Sequence, residues 1–153
     1  MATESLIMPE QVSLPRKIVA TVDGSVESMA AAAFAIELSR SLGAQLVALH
    51  VIHLPEYVSD DVRTRVRDEL RAKGQVALDA ARESARAKGI EMSAEVIDTT
   101  SSVVDAICDF ASMQKGDMII LGTRGEGGVA KLMLGSVAAG VARSARCPVL
   151  VVR

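Results

Sequence analysis

The residues best equipped for chemistry lie between Gly122 and Ser136, where Gly122, Gly125, Gly127, Gly128 and Gly135 punctuate one segment. Glycine lets a backbone approach a ligand closely or take a positive φ. Ser136 follows Gly135 at the start of a predicted helix, where unpaired N–H groups and the helix dipole favour an anion. Together these features describe a phosphate cradle. Arg124 lies inside the segment, and a guanidinium suits phosphate oxygens as well as it suits solvent. Lys131 is weaker, since VAKLML also reads as a short helix packing its leucines inward.

Two familiar phosphate motifs fail here. A Walker A loop needs Gly-Lys-Ser or Gly-Lys-Thr, but Lys131 follows Ala130. Gly125 to Ala130 satisfies GxGxxA, yet a dinucleotide fold also needs an acid at the end of the next strand. That stretch is CPVLVVR and holds none. Elsewhere, Asp23 closes the apolar run KIVATV, either as a ligand-facing carboxylate or as a turn residue and helix cap. His50 lies on an apolar run and reads first as a packed residue.

The elements that must position these residues follow from hydrophobic pattern. Lys17–Val22, Gln45–Ile52, Ile90–Ile97, Asp117–Leu121 and Pro148–Val152 are short, nearly continuous apolar runs, the pattern of strands buried on both faces of a parallel sheet. Between them lie four helical stretches. The first is capped by Ser25 and stopped by Gly43. The second, long and charged, steps through Val62, Val66, Leu70, Ala77 and Ala81 and ends before Gly89, with charged pairs such as Asp61 and Arg65 on its outer face. Ser102–Met113 and Ser136–Ser144 complete the set. The alternation implies an α/β domain: a five-stranded parallel sheet with helices on both faces. Ligands of such sheets bind beyond the carboxyl ends of the strands where strand order reverses. Asp23 and Gly122 mark the two strand ends with unusual chemistry.

Composition narrows the partners. The chain has 153 residues, half of them hydrophobic, and 17 basic against 19 acidic residues for a net charge of −2. That is one domain with an ample core. Two Phe, one Tyr and no Trp leave the core aliphatic and remove the rings on which single-stranded nucleic acid stacks. A near-neutral, mixed surface gives no pull toward DNA or an anionic membrane. Cys108 and Cys147 are too few for a disulfide framework and read as buried thiols of a reduced compartment. No secretory signal or membrane-length apolar run is present, so a cytoplasmic location is expected. Residues 1–16 read as a flexible N-terminal extension to a domain spanning 17–153.

The spacing Gly122-x2-Gly125-x9-Gly135-Ser136 follows an apolar fourth strand and precedes the terminal CPVLVV. With KIVATVDGS and LVALHVI, it resembles the nucleotide-binding class of the universal stress protein family over nearly the whole chain. The resemblance implies the sheet order 3-2-1-4-5 and ATP, with or without Mg2+, as ligand. It places Asp23, with Thr21 and Val22, against the adenosine half and the backbone of Val51 at the adenine edge. Gly122 and Gly125 fall at the ribose and phosphates, with Leu121 as an aliphatic wall and Arg124 nearby. Gly135, Ser136 and Val137 fall at the phosphate-binding helix start. With few rings, adenine would be held by aliphatic walls and backbone hydrogen bonds, Tyr57 being the nearest ring.

No set of residues reads as a catalyst. The expectation is a cytoplasmic ATP-binding regulatory or stress-response module, with a slow ATP hydrolase, a cyclic AMP or adenylate binder and a purely structural dimerisation module as alternatives. Pro148–Val152, as an exposed edge strand, predicts a homodimer, which the family resemblance also suggests.

Overall fold

The computed structural model describes residues 7–9, 11–124 and 133–153. The elements run β1 (Lys17–Thr21), α1 (Val26–Leu42), β2 (Gln45–His53), α2 (Asp60–Ala87), β3 (Met92–Thr99), α3 (Val103–Met113), β4 (Met118–Gly122), α4 (Ser136–Ser144) and β5 (Val149–Val152). The strands form one parallel sheet in the order β3-β2-β1-β4-β5, as expected. β1 is central, and its Ile18, Val19 and Ala20 are at most 1% exposed.

The core has two aliphatic layers. Ile18, Ala20 and Val22 pack with Ala31, Ala32, Ala35 and Ile36 of α1 and Ala77, Leu78, Ala81 and Ala85 of α2. Val19, Val47, Leu49, Ile119 and Leu121 pack with Ile107, Phe110 and Ala111 of α3 and Ala138 and Val141 of α4. Small alanines let α1 and α2 lie close to the sheet, so the domain needs few rings. The α2 face is displaced from the predicted one: its buried residues are Gly74, Ala77, Leu78, Ala81 and Ala85, while Val62 is 41% exposed. The Asp61–Arg65 pair is not among the ion pairs found on α2, which include Arg82–Asp79 and Arg86–Glu83, while Arg67 and Arg71 meet Asp98 of β3.

Local chemistry sets the boundaries. Ser25 and Ser102 cap α1 and α3 by accepting from the N–H groups of Ser28 and Asp105. β3 starts two residues later than predicted because the Ile90 N–H bonds the Ala85 carbonyl and finishes the turn after α2. Asp117 precedes β4 rather than opening it, and its carboxylate accepts the N–H groups of Arg16 and Lys17, which anchors the entry to β1. Residues 11–15 ahead of that anchor form no helix or strand. Cys108 and Cys147 are free and half-buried rather than fully buried, lying at the margin of the α3–α4 layer. Among the described residues, no helix is long and apolar enough to cross a membrane.

Candidate functional site

β1 and β4 are neighbours, and their chains leave toward opposite faces, β1 into α1 and β4 into α4. This is the reversal point of the sheet, where a crevice opens beyond the strand ends. On the β1 side, the Val22 N–H donates to the Leu49 carbonyl at 2.8 Å. A continuing ladder would bring the Val51 N–H to the Val22 carbonyl. Instead the Nδ1–H of His50 donates to that carbonyl at 2.7 Å. The backbone edge of Val51 is thereby left beyond the last rung of β1, turned toward the crevice. His50 thus packs and also ends a strand pairing, a role its sequence position did not disclose.

Asp23 stands at the β1 exit. Its Oδ1 accepts from the Ser25 N–H at 2.8 Å, and its own N–H donates to Ser28 Oγ at 3.1 Å. The carboxylate therefore shapes the turn into α1, as one of the two sequence readings had it. Thr21 is half-buried beside it. Val22 and Leu121 are 1% and 2% exposed, so both side chains belong to the core and only their backbone borders the crevice. Leu121 is therefore not an open aliphatic wall.

On the β4 side, the strand ends against α1. A β-carbon on Gly122 would lie 2.7 Å from the Glu27 carbonyl carbon and 2.9 Å from the Ser28 nitrogen. Glycine is required there by the backbone of α1, whether or not a ligand also approaches. The Thr123 N–H bonds the Val152 carbonyl at 2.9 Å, and the Gly135 N–H bonds the Thr123 carbonyl at 2.6 Å. The first continues the β4–β5 ladder, and the second holds the start of α4 against the end of β4. Gly125 and Lys131, with the rest of 125–132, lie outside the described residues.

α4 differs electrostatically from the other helices. Its N-cap, Gly135, provides no side-chain hydrogen bond, and its first turn carries no acid. α1, α2 and α3 carry Glu27, Asp60 and Asp61, and Asp105 in theirs. The first helical bond of α4 runs from the Ala139 N–H to the Gly135 carbonyl, and the N–H groups of Ser136, Val137 and Ala138 ahead of it have no side-chain cap among the described residues. Ser136 and Val137 are exposed, and such a terminus suits an external anion.

Arg124 and Glu27 face each other across the junction. The Arg124 guanidinium donates to Glu27 Oε1 at 2.5 Å, with the two side chains 20% and 23% exposed. Arg124 is neither a solvated loop charge nor an open phosphate ligand in this structure. In sequence Glu27 reads only as an ordinary helix-stabilising acid of a first turn, and its partner 97 positions away is not visible there. Tyr57 is 89% exposed. Among the described residues, no group of three or more His, Cys, Asp or Glu side chains is gathered to hold a metal.

The sequence profile of the universal stress protein family matches residues 15–153. The chain belongs to the universal stress protein family. A universal stress protein of Methanocaldococcus jannaschii is 33% identical over 144 residues, covering 92% of this chain and 84% of the relative. One from Bacillus subtilis is 32% identical over 151 residues, covering 90% and 98%. Among solved structures, UspA from Lactobacillus plantarum superposes with a TM-score of 0.76 at 26% identity, covering 90% of this chain and 97% of that one. A universal stress protein in complex with cAMP gives 0.71 at 26% identity, covering 92% and 99%. The Archaeoglobus fulgidus universal stress protein in complex with dAMP gives 0.63 at 25% identity, covering 90% and 97%.

Proposed function

We propose that the chain is an adenine-nucleotide-binding regulatory module of the universal stress protein family, working in the cytoplasm as a homodimer. The observation that carries this reading is the start of α4, with no acid in its first turn and no side-chain cap among the described residues, held against the end of β4 at the reversal point of the sheet. It supplies backbone N–H groups for a phosphate, and Ser136 and Val137 are the residues that would offer them. The backbone edge of Val51, beyond the last rung of β1, would supply donor and acceptor groups for an adenine edge, with no ring required. Asp23, at the exit of β1, would face the adenosine half. Solved relatives with cAMP and dAMP support an adenylate as the ligand class. ATP is the ligand that the family resemblance implies, and magnesium would then be carried largely by the phosphates.

Ser136→Pro tests the reading. Proline is favoured at the first helical position, and Gly135 before it has φ −61° and ψ 157°, an extended conformation that a following proline accepts. The substitution removes one N–H and the hydroxyl without disturbing the helix. Calorimetric titration with AMP and ATP should show binding to the parent protein and at least about tenfold weaker binding to the variant, at unchanged melting temperature. Equal affinity in both proteins would remove the phosphate from this helix. No binding of any adenine nucleotide by the parent protein would overturn the reading.

A further inference from the structure

The position of Glu27 bears on which adenine nucleotide the crevice accepts, an inference that rests on the adenylate reading above. Arg124 is the cation that follows directly on the end of β4, next to Thr123, which anchors the start of α4. Its guanidinium is engaged by Glu27 at 2.5 Å, and both side chains are largely covered. The acceptor is well held. Glu27 sits in the first turn of α1, where the helix dipole stabilises its negative charge. Its backbone is pressed against Gly122, which leaves the turn little freedom to retreat.

We infer that Glu27 is a specificity-determining residue: by holding Arg124 it biases the crevice toward adenine nucleotides with one phosphate and against ATP. The neutral N–H groups of α4 suffice for a single phosphate. A triphosphate brings more negative charge, and Arg124 is the cation at this junction that could compensate it beside any magnesium the phosphates carry. Recruiting Arg124 for that task would break a partly covered ion pair. It would also leave the Glu27 carboxylate unpaired beside the incoming phosphates, where like charges repel. The cost falls on the polyphosphate and scarcely touches the monophosphate. Arg124 acts in this scheme through its partner, so the pair is tested as a pair.

The experiment is calorimetric titration of the full chain with AMP and with ATP in four forms: parent, Glu27→Gln, Arg124→Met, and the double variant. Gln keeps the shape of Glu27 and removes its charge. Thermal melts confirm that each form is folded. The expected result is that the parent favours AMP, and that Glu27→Gln raises ATP affinity about tenfold while AMP changes less than threefold. In the double variant, where no guanidinium is released, the ATP gain should vanish. Arg124→Met alone, which leaves Glu27 bare, should weaken ATP more than AMP. An ATP-to-AMP preference that is unchanged in Glu27→Gln, or a gain that survives in the double variant, overturns the inference while leaving adenylate binding intact. If none of the four forms binds either nucleotide, the adenylate reading falls and the inference with it.

Discussion

The imidazole of His50 fills the space in which a side chain at Gly74 would begin. A β-carbon on Gly74 would lie 2.2 Å from His50 Cδ2 and 2.4 Å from Nε2. Gly74 lies inside α2, where glycine is about 1 kcal/mol less favourable than alanine, so the close approach explains a residue that helix propensity disfavours. It also fixes the ring that takes the Val22 carbonyl at 2.7 Å.

The first prediction follows from that contact. Gly74→Ala should destabilise the fold by about 2 kcal/mol despite its better helix propensity, because overpacking of this kind typically costs more than the propensity returns. Adding His50→Ala should recover most of the loss, since the β-carbon then has room. Urea denaturation of the two single variants and the double variant measures the coupling. Additive losses would mean that the ring yields without strain.

Gly122 supports a second prediction. Its missing side chain makes way for the backbone of Glu27 and Ser28, which cannot swing aside as a flexible side chain would. Gly122→Ala should therefore lower the melting temperature of the protein in nucleotide-free buffer, with a loss of about 2 kcal/mol. A variant as stable as the parent would show that the junction of β4 and α1 can open. Loss of nucleotide binding on substituting Gly122 therefore does not by itself identify a ligand contact, and Ser136→Pro is the cleaner probe.

The sequence made the sheet legible because apolar runs such as KIVAT and MIILG report burial on both faces, and the turn and cap residues between them act locally. What it could not disclose depends on distant residues meeting. Gly74 reads as a weak helix position until His50 of β2 is placed against it. Arg124 reads equally as a phosphate partner or a loop charge until the sheet order brings the start of α1 beside the end of β4. The resemblance makes Leu121 an aliphatic wall, but its side chain packs into the α3–α4 layer. The β3 boundary moved because Ile90 is consumed by the turn after α2, a hydrogen-bond choice invisible in hydrophobic pattern.

The two thiols give a third prediction, on pH. Burial pushes both Cys108 and Cys147 above the ordinary thiol range, with Asp105 and Asp109 adding to the effect on the first and Asp117 on the second. The folded chain therefore keeps protons that the unfolded chain releases. The associated stability is complete below the unfolded thiol range, near pH 8.5, and is lost as pH rises through the folded values. Melting temperature should fall as pH rises above about 8.5, and fall less in a Cys108→Ala, Cys147→Ala variant. An identical decline in both proteins would assign it to other groups. Alkylation by iodoacetamide at pH 7.5 should likewise be slower in the folded protein than in urea.

The last prediction concerns assembly. β5 is an edge strand, and its Val149–Val152 stretch is only half-buried, which leaves a row of backbone groups open to pairing. The carbonyls of Pro148 and Val152 accept from Ile119 of β4 and from Thr123 just after it. By the two-residue alternation of a strand, Val149 and Val151 then turn their N–H groups away from the sheet. Val151→Pro removes one outward donor and none that β4 uses, and an edge strand tolerates proline at such a position. If the homodimer forms through this strand, sedimentation at micromolar concentration should show a dimer for the parent chain. The variant should sediment as a monomer with an unchanged far-ultraviolet circular dichroism spectrum. A dimer that survives the substitution would move the interface off β5, and a monomeric parent chain would remove the dimer from the proposed function.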